Sequence, residues 1–183
     1  MSEGSDGGRD SRPAQDIAAA HDPESGDRPG NCRSAEVPPQ GDGAANTGIA
    51  ADDSDIYGLY RRGLELLERG SAAAAAQLLE RAAAAEPHSR SVLEALARAQ
   101  FDAGRYAAAA GNFRRIVEAS PADDYAQFGL GLALARTGDP RAAAEHLALA
   151  AAMRPNMRHY TDALRSVRAT LSARNRLREE SAD

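Results

Sequence analysis

The chain has 183 residues, 43% of them hydrophobic, and a formal net charge of −5, a size and composition typical of one or two folded domains. Its only cysteine, Cys32, excludes an intrachain disulfide and, alone, a site with several thiolate ligands. No stretch approaches the roughly 20 apolar residues of a membrane-spanning helix, and the run Ile17–Ala20 is too short for a secretory signal. All 22 basic residues are arginine, and alanine is abundant, which indicates a bacterium with a GC-rich genome. We therefore expect a bacterial cytoplasmic protein that does not enter a membrane.

Residues 1–55 differ in composition from the rest of the chain. They contain no aromatic residue and no leucine, and their 4 Arg against 12 Asp plus Glu give a net charge of −8. Residues 56–183 contain all eight aromatics and carry 18 Arg against 15 acids, a net charge of +3. A segment with so little apolar surface cannot offset the entropy that is lost on ordering. The composition predicts an acidic disordered tail over 1–55, followed by a folded domain.

The first predicted elements are two helices, Ile56 to Arg69 and Ala72 to Ala85, separated by Gly70. A glycine at this point allows the left-handed backbone that commonly terminates a helix. Ser71 is suited to cap the second helix, and Pro87 blocks its continuation. The pattern predicts a helix hairpin.

The same hairpin recurs twice at a spacing of 34 residues. The recurring positions are a turn glycine (Gly70, Gly104, Gly138), a proline (Pro87, Pro121, Pro155), an alanine (Ala75, Ala109, Ala143), a bulky apolar residue (Leu79, Phe113, Leu147) and a small residue inside the first helix (Gly63, Ala97, Gly131). Several columns that share one period are typical of a repeat protein. We predict three hairpins, over about 56–89, 90–123 and 124–157.

The third hairpin contains the stretch GLGLALARTGDP, Gly129 to Pro140, which has the glycine content of a phosphate-binding loop. Such a loop requires a preceding strand, with its glycines in a turn before a helix. Here the apolar residues follow a helical period, and Gly131 shares the register of the other small residues. We interpret Gly131 as a packing residue inside a helix and Gly138 as the end of that helix. Asp139 and Pro140 then begin the next helix.

After the third hairpin, apolar residues recur at helical spacing with arginines on the opposite side. They are Tyr160, Leu164, Val167 and Leu171. A stack of hairpins leaves its last apolar face open, and a helix with one polar side closes it. We predict a capping helix over about 158–175 and a flexible C-terminus over 176–183.

This pattern resembles the tetratricopeptide repeat family, whose consensus W-x2-L-G-x2-Y…A-x3-F…P has the same period of 34 residues. The resemblance covers residues 56–157. It departs from the consensus at the Trp column (Leu59, Leu93, Gln127), the Tyr column (Leu66, Gln100, Leu134) and, in the first repeat, the Leu column (Arg62). The resemblance implies an all-α fold, a right-handed superhelix of three helix-turn-helix repeats with a capping helix. The first helices of the repeats would line a concave groove.

The resemblance implies that a stripe along the first helices forms a partner-binding groove. Its candidate residues are Tyr57, Tyr60, Leu64, Arg98, Phe101, Tyr125, Phe128, Leu132 and Arg136. Aromatic residues and arginine are the side chains most enriched at binding hot spots, and the two arginines are available to carboxylates. Tyr60, Phe101 and Phe128 either contact a partner or pack between repeats, and the sequence leaves both readings open. We expect Tyr57 and Tyr125, each near a helix start, to be more accessible.

These residues predict a non-enzymatic module that binds a peptide segment or a partner helix, with no cofactor and no metal. The four histidines are too scattered for a catalytic or metal site. They are His21, His88, His146 and His159. Some family members hold a chaperone C-terminus through a clamp of Lys, Asn and Arg. The clamp is absent here, because the residues at the matching positions are Tyr60, Leu64, Ala95, Tyr125 and Gly129. The sequence leaves open whether the protein forms a homo-oligomer, because the groove of one chain could accept a second chain.

The main alternative is the binding of nucleic acid or of an acidic partner through the arginine-rich C-terminal region. Its arginines are Arg154, Arg158, Arg165, Arg168, Arg174, Arg176 and Arg178. The acidic isoelectric point of 5.4 and the lack of interleaved aromatics beyond Tyr160 favour a solvated arginine-rich face, so we expect no nucleic acid. A third hypothesis is that the acidic tail docks on this helix and competes with a partner.

Overall fold

The computed structural model describes residues 53–181, and within that range the chain forms seven α-helices and no strand. They are α1 (Asp53–Glu68), α2 (Ala72–Ala85), α3 (Arg90–Asp102), α4 (Tyr106–Ala119), α5 (Asp124–Thr137), α6 (Pro140–Met153) and α7 (Arg158–Glu180). The all-α repeat fold predicted from the sequence is confirmed. The predicted disordered tail lies outside the described residues, except that 53–55 begin α1. Cys32 and His21 also lie outside them.

Each first helix of a hairpin ends at a glycine in the left-handed conformation, as the period predicts. The φ angle is +75° at Gly70, +76° at Gly104 and +93° at Gly138. The residue after each glycine donates its backbone N–H to a carbonyl five residues earlier, as from Ser71 to Leu66 at 2.8 Å. This hydrogen bond terminates helices at a left-handed glycine and satisfies a carbonyl that would otherwise have no partner.

The starts of the helices are capped unequally. Asp139 accepts a hydrogen bond from the N–H of Ala142 at 3.1 Å, with Pro140 at the first position of α6, as predicted. Asp123 caps α5 in the same way at 3.0 Å. Ser71 precedes α2, but its hydroxyl makes no capping hydrogen bond, so the expected cap is absent there. Side chains therefore cap both helices of the third hairpin and neither helix of the second.

Small residues inside the first helices let the second helices approach closely. A Cβ atom added to Gly63 would lie 2.6 Å from Cγ of Leu79, and one added to Gly131 would lie 2.6 Å from Cγ of Leu147. Both leucines are fully buried. Gly131 is therefore a helix-packing residue, as predicted, and most of the GLGLALARTGDP stretch belongs to α5.

Successive repeats pack through one apolar face of each first helix. On α3 this face is buried against α1 and α2, and it consists of Val92, Ala95, Leu96 and Ala99. The residues in the same register on α5 are also buried, and they are Ala126, Gly129, Leu130 and Ala133. The residues in the same register on α1 are all exposed, and they are Gly58, Arg61, Arg62 and Glu65. The stack therefore begins with a polar face, as terminal repeats do.

Helix α7 closes the other end of the stack. Tyr160 and Val167 are buried on the side that packs on α6, whereas Arg165 and Arg168 on the far side are exposed. The predicted capping helix is thus present, but it runs to Glu180 instead of ending near 175. Arginine, leucine and glutamate favour the helix, and no glycine or proline interrupts it. Residues 176–180 of the predicted flexible C-terminus are therefore helical.

Candidate functional site

Helices α1, α3, α5 and α7 lie side by side, each in contact with the next. Tyr57, Tyr60 and Leu64 of α1 have equivalent positions every 34 residues along α3, α5 and α7. We call the surface that these positions form the first-helix face. It is the surface on which the sequence places the groove. Two pockets open on it, one between α1 and α3 and the other between α5 and α7.

The pocket between α1 and α3 has a volume of about 160 Å³. It is lined by Tyr60, Leu64, Arg90, Ser91, Glu94, Ala95 and Arg98. Arg90 is engaged in the fold, since its Nε donates to Oδ2 of Asp123 at 2.6 Å and its Nη2 lies 3.2 Å from Oε2 of Glu94. Burial and, to a lesser extent, Glu94 raise the pKa of Tyr60, so its hydroxyl stays protonated. The pocket thus offers a ring, an aliphatic side chain and a hydroxyl donor.

Arg98, which lines this pocket, and Asp102, one turn further along α3, hold polar atoms that no described residue satisfies. Nε of Arg98 and Oδ1 of Asp102 are buried without a hydrogen-bond partner. Burial raises the pKa of Asp102 to about 6, although the charge of Arg98 opposes the change. A buried donor or acceptor without a partner is costly. Arg98 is half-buried at the wall of the pocket, so it is the polar residue of this pair that a partner could contact.

Three aromatic residues that the sequence placed in the groove lie in the core. Phe128 has 0% of its surface exposed and stacks on Tyr160 of α7 with ring centroids 4.5 Å apart. Phe101 is buried and meets Tyr106 edge-on at 5.1 Å. Tyr125 has 7% of its surface exposed and meets the Phe113 ring edge-on at 6.2 Å, so the expectation that it is accessible is wrong. Residues of the capping helix and of the second repeat cover these rings, so they are core residues.

The pocket between α5 and α7 is wider, with a volume of about 510 Å³. It is lined by Leu132, Ala135, Arg136, His159, Asp162, Ala163, Ser166, Val167 and Thr170. Arg136 is exposed, and its guanidinium lies 6.0 Å from the centre of the Tyr106 ring. Leu132 is half-buried at the pocket wall. Five of the nine residues that line this pocket are polar or charged.

The structure thus divides the nine predicted groove residues into three groups. Tyr57, Tyr60, Leu64 and Arg98 lie at the α1 and α3 end, where Tyr57 is 62% exposed. Leu132 and Arg136 lie at the other end. Phe101, Tyr125 and Phe128 do not reach the surface.

Sequence reasoning missed the contribution of α7 to the first-helix face. Residues His159, Asp162, Ser166 and Thr170 line the second pocket. They stand 34 positions after Tyr125, Phe128, Leu132 and Arg136. Extending the period one step past the third repeat would have found them.

The described part of the chain shows neither a metal site nor a membrane span. Residues 53–181 contain no group of three His, Cys, Asp or Glu side chains that could hold a metal ion. No helix in that range is long and apolar enough to cross a membrane.

A sequence model described as Tetratricopeptide repeat matches residues 60–124 and 94–158, together more than half of the chain. The first such domain of Spaghetti (RPAP3), bound to the HSP90 peptide SRMEEVD, is 20% identical, with a TM-score of 0.61 over 68% of this chain and 99% of that one. The Sgt2 domain from Aspergillus fumigatus is 21% identical, with a TM-score of 0.61 over 67% of this chain and 82% of that one. The Yersinia enterocolitica type III secretion chaperone SycD, in complex with a peptide of the translocator YopD, is 14% identical, with a TM-score of 0.59 over 67% and 98%. A comparison with curated proteins finds no match.

Proposed function

Because the chain belongs to the tetratricopeptide repeat family, we propose that it is a non-enzymatic interaction module of the bacterial cytoplasm that binds a peptide segment or a partner helix on its first-helix face. Two of the similar structures hold a peptide, one from HSP90 and one from YopD. At 20% and 14% identity, these structures share the fold of this chain and give no information on its partner. The proposed partner is a protein or peptide.

The observation that carries the proposal is the juxtaposition of the α1–α3 pocket with the Arg98 and Asp102 pair. Tyr60 and Leu64 supply apolar contact area, and Arg98 supplies a positively charged guanidinium at the wall of the same pocket. Peptide-binding surfaces combine such apolar anchors with a few polar groups that fix register. Arg98 and Arg136 are both available to carboxylates of a partner.

The test is affinity capture from the native cell extract with the full chain as bait, beside the double variant Tyr60→Ala, Arg98→Ala. Each side chain is half-buried at the surface of the pocket, so the helical content measured by circular dichroism should not change. If they are anchors, each substitution weakens binding by roughly 1 to 3 kcal/mol, and the partner is lost from the capture. Arg114→Ala, an exposed position on the second helix α4, is the matched control and should retain the partner.

Two results would contradict the proposal. One is a protein retained equally by the parent and by the folded double variant. The other is recovery of nucleic acid by both baits with release by salt, which would move the function to the arginines of α7.

A further inference from the structure

Four arginines of α7 lie on one exposed face, which we call the arginine stripe. They are Arg158, Arg165, Arg168 and Arg176. At 100° per residue they fall within an arc of about 80°, and from first to last they span about 27 Å of helix. The stripe lies on the side of α7 that faces away from α6, at the end of the stack.

Most arginines of the stripe have no acidic side chain paired with them in the described part of the fold. Arg165 pairs with Asp162 at 2.8 Å, and its side chain is still 76% exposed. The other three arginines have no ion-pair partner among residues 53–181. An end-capping helix needs a polar outer face, but it does not need four arginines against a single acidic residue, Glu179, in the same arc. Like charges in a row favour an anionic partner.

The chain itself supplies a segment of opposite charge. Residues 1–52 hold 10 Asp plus Glu against 4 Arg, a net charge of −6. We propose that this acidic segment docks on the arginine stripe of its own chain. The stripe adjoins the pocket between α5 and α7, because Arg165 pairs with its lining residue Asp162. The contact masks the stripe from other anionic polymers.

The length of the segment is sufficient for this contact. Helices α1, α3, α5 and α7 lie side by side, and at helix spacings of about 10 Å the three steps from α1 to α7 cover about 30 Å. A coil of about 50 residues has an end-to-end distance of about 40 Å. Attachment at the start of α1 therefore keeps the acidic residues at a high effective concentration near the stripe.

The single cysteine allows a direct test on the full chain. A nitroxide spin label on Cys32, in the acidic segment, should broaden the amide signals of residues 158–176 and lower their intensities. The effect should be lost in about 0.5 M NaCl, where the screening length falls to about 4 Å. It should also be lost in the variant Arg165→Gln, Arg168→Gln, Arg176→Gln, whose positions are all exposed. The matched control is Arg61→Gln, Arg62→Gln, Arg69→Gln at the α1 end, which should keep the effect.

Several outcomes would overturn the proposal. Undiminished α7 signals, or broadening that survives both salt and the α7 variant, would show that the segment does not dock through these arginines. Broadening seen only when labelled chains are mixed with separate isotope-labelled chains would assign the contact to a second copy. An added oligonucleotide that shifts α7 signals which the Cys32 label leaves unchanged would assign the stripe to nucleic acid.

Discussion

At the scale of single residues, glycines inside the first helices act as contact points. A Cβ atom added to Gly129 would lie 2.5 Å from Cζ of Phe113, and at Gly131 the added atom would also lie 3.1 Å from the carbonyl oxygen of Ala143. Neither Phe113 nor a backbone carbonyl can move aside at low cost, because both belong to a tightly packed interior. The low helix propensity of glycine is therefore offset by close packing of neighbouring helices.

We expect Gly129→Ala to destabilise the fold by about 1 to 3 kcal/mol, the usual range for overpacking a core. Gly111→Ala is the matched control, because its added Cβ atom would meet nothing within 4 Å and it lies inside α4. Alanine there should stabilise the helix by up to about 1 kcal/mol. Urea denaturation of the two variants should give opposite signs, and equal signs would mean that the Phe113 ring relaxes away from the new methyl group.

Burial raises the pKa of Asp102 to about 6. In the unfolded chain this carboxyl titrates at about 3.9, so between the two values the folded protein holds a proton that the unfolded chain has lost. The contribution of Asp102 to the free energy of unfolding therefore falls as the pH rises from about 4 to above 6. Asp102→Asn should be more stable than the parent by about 1 kcal/mol at neutral pH, allowing for solvent screening at a half-exposed site, and the gain should shrink toward pH 4.

Chemical denaturation of the parent and of Asp102→Asn across this pH range measures the difference directly. Comparing the two proteins at each pH cancels the titration of all other groups. A gain that does not change with pH would show that the carboxylate of Asp102 is solvated in the folded state.

At the scale of elements, the sequence predicts the six repeat helices well because their boundaries have local chemical causes. Gly70, Gly104 and Gly138 end the first helices, and the three prolines follow the second helices after a short interval. The end of α7 has no such cause near residue 175, since neither glycine nor proline follows, and the predicted boundary was wrong by five residues.

The candidate site was less predictable from the sequence, for a different reason. Periodicity identifies which residues share a helix face, but it does not say which neighbouring element covers them. Phe128 has the register of Tyr60, yet Tyr60 remains half-buried whereas Phe128 is covered by His159 and Tyr160 of α7. Helix α3 places Ser91 and Val92 at the equivalent positions beside Tyr60, so the size of the residues on the next first helix decides the exposure of these two rings.

Tyr160 attaches α7 to α5 through its ring and its hydroxyl group. Its side chain is fully buried, and its hydroxyl donates to Oδ2 of Asp124 at 2.9 Å. Tyr160→Phe keeps the ring stack with Phe128 and removes one hydrogen bond, so it should cost about 1 kcal/mol. Tyr160→Ala also removes the ring and should cost about 3 to 5 kcal/mol.

Urea denaturation gives both values, and amide exchange of α7 shows whether the helix detaches in the alanine variant. Similar losses in the two variants would assign most of the contribution to the hydroxyl. A small loss in both would mean that Val167 and Leu164 suffice to hold the helix.

At the scale of the whole molecule, both ends of the stack are closed by polar faces. Arg61, Arg62 and Glu65 occupy the α1 positions that are apolar in α3 and α5, and Arg165 and Arg168 occupy the outer face of α7. Neither end offers the apolar surface on which a further repeat packs. The polar ends disfavour end-to-end stacking of chains.

The stack is not equally stable along its length, because the first repeat has the smallest core. Nine of the 14 residues of α2 are alanine, and its buried residues are Ala75, Ala76, Leu79 and Ala82. The corresponding helix α4 buries Phe113 and Ile116 beside two alanines, and burial of larger apolar side chains stabilises more. Helix α1 also packs on fewer described neighbours, since no second helix precedes it within residues 53–181.

We therefore expect the first repeat to open before the others, as stability in repeat proteins is a sum of local terms and neighbour contacts. Native-state hydrogen exchange should show amides of α1 and α2 exchanging faster than those of α5 and α6, whose two N-caps and aromatic stack on α7 add protection. Equal protection in the first and third repeats would mean that the stack unfolds as one unit. A first repeat that opens separately would loosen the α1–α3 pocket, so a bound partner that spans α1 and α3 should slow exchange there most.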